Sequence, residues 1–200
     1  PFDVNRIGVM DWSDVNLRKE SQGQEKHADS IQRKMINSIL ALENENAFEI
    51  VFDDDSSGEA ADIIAIRVEA KRLVVHLYHC KYSQKATAGA RVKDLYEVCG
   101  QAQKSVYWKG QAEHLIDHML HREARRLSNG GVTRFEKGDT KALKLIKRKL
   151  RILRPEFDVS IIQPGLSKAD AEPAQLDLLA ATELYLKETY GVSLSVVGNN

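Results

Sequence analysis

The 200-residue chain has only two cysteines, Cys80 and Cys99. Nothing in their spacing frames disulfides or a zinc site, which points to a reducing, cytoplasmic setting. No apolar run approaches the roughly 18 residues needed to cross a bilayer, and the N-terminus lacks a charged-then-apolar signal pattern, so no membrane role is expected. Net charge is also missing: 29 basic residues balance 29 acidic ones. No global field therefore advertises a polyanionic partner, and any nucleic-acid site has to be a local patch. Internal repeats, low-complexity tracts and a Walker A glycine loop are absent, so the chain carries no ATPase motor of its own. Gln163-Pro164-Gly165-Leu166-Ser167 contains no G-x-S-x-G elbow, which argues against a serine hydrolase. The chain begins at Pro1 instead of a methionine, as a fragment or processed chain would.

This length supports one well-filled core, or at most a core with a small appendage. We expect a single domain over residues 1–200, with residues 1–23 as a lead-in and the core from residue 24 onward. Ala28, Ile31, Met35, Ile39 and Leu42 recur at helical spacing and predict an amphipathic helix over residues 24–42. Residues 48–52 read as a strand and 53–58 as an acidic turn, followed by strands over 62–68 and 73–82. The short link at 69–72 makes these two strands antiparallel neighbours, so the start of one lies near the end of the other. Helical patterns cover 90–107, 112–127 and 140–153, with Asn129-Gly130-Gly131 as the clearest breaker. A strand at 158–163, a turn at Pro164-Gly165, a helix over 174–190 and a last strand at 192–197 complete an α/β, three-layer arrangement, a central sheet flanked by helices.

The most informative stretch reads GEAADIIAIRVEAKRLVVHLYHCKYS from Gly58, then GQAQKSVYW from Gly100. An acidic residue, Asp62, opens one predicted strand. His79, Cys80 and Lys81 close the next, and Gln103 and Tyr107 follow on a helix. This order resembles the PD-(D/E)XK nuclease superfamily, especially its Mrr-type restriction endonucleases and RecB-type nucleases. The resemblance implies a restriction-endonuclease-like fold, a mixed sheet flanked by helices in the order αβββαβ, and a domain that cuts DNA with Mg²⁺ or Mn²⁺.

Phosphodiester hydrolysis needs a metal to neutralise phosphate charge and acidify water, plus a cation near the attacking water or the transition state. Under the resemblance Asp62 is the first metal ligand, a hard oxygen donor of the kind Mg²⁺ prefers, and Lys81 is the cation. Strand alternation turns His79 and Lys81 to one face and Cys80 to the other, making Cys80 a core residue. The superfamily usually has Asp or Glu where this chain has His79. A neutral imidazole removes a negative charge and is a softer ligand, so another acid has to compensate. Glu59, Glu20 and Glu25 are the candidates, with Glu25 ranked above Glu20 because it falls on the predicted first helix. Gln103 and Tyr107 share a helix face at i, i+4, the spacing of the RecB-type motif. By that likeness Gln103 holds the lysine or the substrate and Tyr107 contacts nucleic acid, with Gln101 as competitor for the first role.

Asp53-Asp54-Asp55 reads more simply as a solvated loop than as further metal ligands. His114, His118 and His121 recur along one helix, but no further ligand is placed to complete a zinc site, so they read as a partly exposed polar face. From Arg122 to Arg154 basic residues far outnumber Glu123, Glu136 and Asp139. Lys141, Lys144 and Arg148 recur on one helix face, as a phosphate-tracking surface requires.

From Trp12 and Glu20-Ser21-Gln22 to Gln163–Ser167 the chain also looks like the C-terminal domain of large bacterial helicase-like proteins, some linked to restriction or phage defence. That likeness implies an upstream helicase or ATPase domain in the same or a partner chain. A homodimer is the natural route if both strands are cut. Two further readings stay open, a non-cutting nucleic-acid-binding module that positions a helicase and a protein-interaction domain whose basic region meets an acidic partner.

Overall fold

The computed structural model describes residues 1–89 and 91–200. Its sheet has seven strands: β1 (Ile7–Val9), β2 (Ile50–Asp53), β3 (Ile63–Glu69), β4 (Arg72–Cys80), β5 (Phe135–Lys137), β6 (Arg154–Ser167) and β7 (Ser193–Asn199). The spatial order is β1-β7-β6-β4-β3-β2-β5. The β2, β3 and β4 strands form an antiparallel meander, whereas β4, β6, β7 and β1 run parallel. Helix α1 (Ile31–Leu40) covers one face. On the other lie α2 (Val92–Ser105), α3 (Ala112–Ser128), α4 (Thr140–Lys149) and α5 (Pro173–Leu184). The chain is thus α/β with a mixed sheet between two helical layers.

Side-chain alternation sorts the two cores. Ile63 and Ala65 of β3, with Tyr78 and Cys80 of β4, join Ile31, Ile36 and Ile39 on the α1 side. Ile64, Ile66, Val75 and Leu77 meet Leu95, Val98 and Cys99 of α2 and Leu115 and Met119 of α3 on the other. The short hairpin holds as read from the sequence. Glu69 pairs with Arg72 and Ile63 with Tyr78, which carries the head of β3 to the end of β4. By the same parity, residue 62 shares the α2-side face with residue 79.

Several boundaries differ from the sequence reading. The first helix begins at Ile31, not residue 24, because Ser30 caps it by accepting from the Arg33 N–H at 3.1 Å. Lys26 upstream takes a left-handed φ of 52° that no α-helix accommodates. The expected turn at Pro164-Gly165 lies inside β6, at the register shift between Ile162 and Ser167. An irregularity there lets the missing proline N–H cost no ladder bond. The start of the predicted 90–107 helix falls on residue 90, outside the described residues, and α2 itself ends at Ser105, where a 3₁₀ turn (Val106–Gly110) takes over. The short strands β1 and β5 were not foreseen, as three residues carry too little periodicity to register.

The lead-in is built into the sheet. β1 pairs parallel to β7, and Trp12, only 5% exposed, donates its indole N–H to the Gly198 carbonyl at 2.8 Å. Ser83 N–H bonds Leu17 O at 2.7 Å, so residues 17–20 lie along the chain leaving β4. Trp12→Ala is expected to lower the unfolding free energy by about 3–5 kcal/mol, the range for truncating a buried aromatic, as measured by urea denaturation. A loss below about 1 kcal/mol would show that the lead-in is dispensable.

Candidate active site

Asp62 sits immediately before β3 and is 3% exposed. Its Oδ2 accepts the backbone N–H of Cys80 at 2.8 Å, a bond that exists only because the hairpin register brings the two strand ends together. Oxygens of Asp55, Glu59 and Asp62 all lie within 4.8 Å of one another. Burial, then the charges of Glu59, Glu20 and Asp55, push the Asp62 carboxyl well above the usual carboxylate range, against the pull of the Cys80 N–H. Glu59 is raised by burial and by Asp55 and Asp54. The donors are three hard carboxylate oxygens, a group that could hold a metal ion.

Lys81 follows β4 and is 6% exposed. Its Nζ lies 3.3 Å from Glu20 Oε2 and 3.1 Å from Glu97 Oε1, above the Tyr82 ring. Burial alone would lower its pKa, but Glu20 and then Glu97 outweigh it and hold the ammonium charged. Glu20 is itself raised, since burial outweighs both the Tyr82 N–H it accepts at 2.8 Å and the attraction of Lys81. Glu20, not Glu25, is thus the acid that the N-terminal segment brings to the lysine. Glu25 lies on an exposed turn paired with His27 at 2.9 Å, because the helix expected to carry it starts six residues later.

His79 is 2% exposed, and its Nε2 has no hydrogen-bond partner. Burial lowers its pKa to about 4, so the imidazole is neutral at physiological pH. It is not one of the three grouped acids, and it lies on the wall of a cleft of about 720 Å³ that Glu59, Gln101, Lys104, Tyr107 and Trp108 also border. Glu59 belongs to both, so the cleft opens onto the acids.

The Gln103 assignment is corrected. Its Nε2 donates to Thr182 Oγ1 of α5 at 3.3 Å, which ties two helices together on the far side of α2. Gln101 faces the cleft instead, one helical turn from Glu97, and its Oε1 is buried without a partner. Tyr107 does border the cleft and is 61% exposed. It does so from the 3₁₀ turn, so the supposed shared helix face with Gln103 does not exist. Lys141, Lys144 and Arg148 are exposed on α4, and none borders the cleft.

The acidic run is not a solvated loop. Asp53 and Asp54 are 4% and 0% exposed. Asp54 lies 2.6 Å from Arg122 Nε, at an angle poor for a hydrogen bond, and 2.8 Å from His118 Nε2, and it accepts the Ala60 N–H at 2.8 Å. Arg122 and Arg134 bind the carbonyls of Asp53, Asp54, Asp55 and Ser57. Part of the basic excess therefore serves to hold this loop in place, and Asp55 reaches Asp62 as a result. Nothing near Asp55 in the sequence signals the two arginines that bind its carbonyl, 67 and 79 residues away. Glu97 was legible in principle, since it sits i−4 from Gln101 on α2.

Comparison of the chain with family models, with curated proteins and with solved structures finds no match to any of them.

An acid whose pKa is raised on folding binds protons more tightly in the native state. Its stabilising contribution is complete below its unfolded value of about 3.9 and is lost as pH rises through the folded value. In chelator-treated protein, Asp62→Asn is therefore expected to gain stability relative to the parent as pH increases from about 4 towards neutrality, and urea midpoints across that range measure it. A constant difference would mean that Asp62 is not the strained group.

Proposed function

We propose that the chain is a metal-dependent nuclease domain of PD-(D/E)XK type that hydrolyses phosphodiester bonds of DNA, the nuclease module of a larger helicase-type restriction or defence protein. One observation carries this reading: the β3/β4 register sets the Asp62 carboxylate on the Cys80 N–H, next to Lys81, a lysine buried between two acids. The order α1, β2, β3, β4, α2, β6 within a mixed sheet agrees with the fold that the sequence resemblance implies.

Asp55, Glu59 and Asp62 would hold Mg²⁺ or Mn²⁺, which supplies charge neutralisation at the phosphate and a more acidic water. Lys81, kept charged by Glu20 and Glu97, is placed to stabilise negative charge building on the phosphate. Asp55 fills the deficit left by His79, so three carboxylates remain in the group although the usual strand acid is missing. His79 stays neutral on the cleft wall, where Tyr107 and Trp108 offer ring faces to a nucleobase and Lys104 a cation to the backbone. A second reading, a binding module that no longer cuts, is favoured by His79 itself, since an imidazole without a partner stands where the superfamily has a carboxylate.

Incubation with single- and double-stranded DNA in Mg²⁺, Mn²⁺ or EDTA is expected to give metal-dependent cutting. Lys81→Ala and Asp62→Ala should each reduce it by about 100-fold or more, the scale of removing one preorganised charge from a transition state. Glu20→Gln should cut more slowly and Glu25→Gln at the parental rate. Intact DNA with every metal, alongside salt-sensitive binding, would transfer the assignment to the non-cutting module.

A further inference from the structure

A second pocket, of about 360 Å³, lies where α3 meets the segment before β5, and Arg122, Arg125, Arg126 and Arg134 converge on it with Gln24 and Asn129. Two carboxylates offset these four cations: Asp54 against Arg122 at 2.6 Å, and Asp53 against Arg126 at 3.9 Å. Glu123 forms no ion pair with these arginines; its oxygens accept from the Thr133 hydroxyl at 2.7 Å and the Arg134 backbone N–H at 2.8 Å. Arg125 is exposed, and its side chain makes no hydrogen bond or ion pair among the described residues. Arg126 Nη1 and Arg134 Nε are buried donors without acceptors. Burial lowers the pKa of Arg134, and the neighbouring charges of Arg122 and Arg126 add to it.

Such crowding costs stability unless an anion relieves it. Planar guanidinium forks suit a tetrahedral oxyanion, to which they donate paired N–H groups. Gly131 keeps the rim low, since a Cβ there would come within 2.5 Å of the Gln24 side chain and 2.7 Å of Arg126 Cδ. Ser56 and Ser57 border both this pocket and the His79 cleft, so an anion held here sits one loop away from the acidic trio.

We propose that this arginine pocket binds a phosphate group, either a diester of a nucleic-acid backbone or a free or terminal monoester. The inference needs only the charge balance of the pocket and stands apart from the nuclease reading.

The test uses the full chain in EDTA, so cutting plays no part. Thermal unfolding is followed while inorganic phosphate is added, with sodium chloride at matched ionic strength as control, and binding is read by anisotropy of labelled oligonucleotides carrying a 5′-phosphate or a 5′-hydroxyl. Phosphate should raise the Tm beyond the chloride control, and Arg125→Gln and Arg126→Gln should each weaken phosphate or oligonucleotide binding by about tenfold. Arg125→Gln should leave the Tm in phosphate-free, low-salt buffer equal or higher, because it removes an unneutralised charge, whereas a merely structural arginine would lower it. A preference for the 5′-phosphate identifies a monoester site, and equal binding that both substitutions weaken identifies a diester site. A phosphate effect no larger than that of chloride, or binding that both substitutions leave intact, overturns the proposal.

Discussion

Most of the site depends on the neutralisation of Asp54. A carboxylate with no exposure to water is tolerable only if charge and hydrogen bonds replace its hydration. Here Arg122 and His118 of α3 and the Ala60 N–H do so together. That knot fixes the loop between β2 and β3 from both sides, with Arg122 and Arg134 also gripping its carbonyls. Asp55 and Glu59, on the same loop, are thereby held against Asp62 despite mutual repulsion. The loop is held at several points by the arginine contacts.

The hairpin is the second constraint. A two-residue turn sets the β3/β4 register, and a shift by one residue would reverse the face of every side chain on β4. His79 would then enter the α1 core, and Cys80 would face the cleft. The buried rows on both faces of these strands make such a slip very costly, so the positions of Asp62 and Lys81 follow from core packing as much as from the turn.

The N-terminal segment adds the third part. Its edge strand and Trp12 bind it to β7, and this docking delivers Glu20 to Lys81. A lysine so enclosed needs partners to remain charged, and they come from opposite ends of the sequence neighbourhood, Glu20 before α1 and Glu97 on α2.

Local pattern made much of this legible. The αβββαβ order, the antiparallel hairpin, the inward turn of Cys80 and the pairing of Asp62 with the end of the lysine strand all follow from period, turn length and alternation, which are short-range properties. Gln103 was misassigned because the helix stops at Ser105 and the α2 face meeting α5 is set by packing. Glu25 was preferred to Glu20 because apolar spacing continued past a start that the Ser30 cap and a left-handed Lys26 decide. What the sequence determined by itself was the longer elements and the alternation of faces along β3 and β4. Only the tertiary structure decided that Asp54 is buried, that Asp55 joins Glu59 and Asp62, and that the arginines of α3 face the loop instead of solvent. The arginine and histidine contacts that hold this loop join residues 64 to 81 positions apart, and their energetics rest on desolvation, a property of the folded surroundings that no local pattern carries.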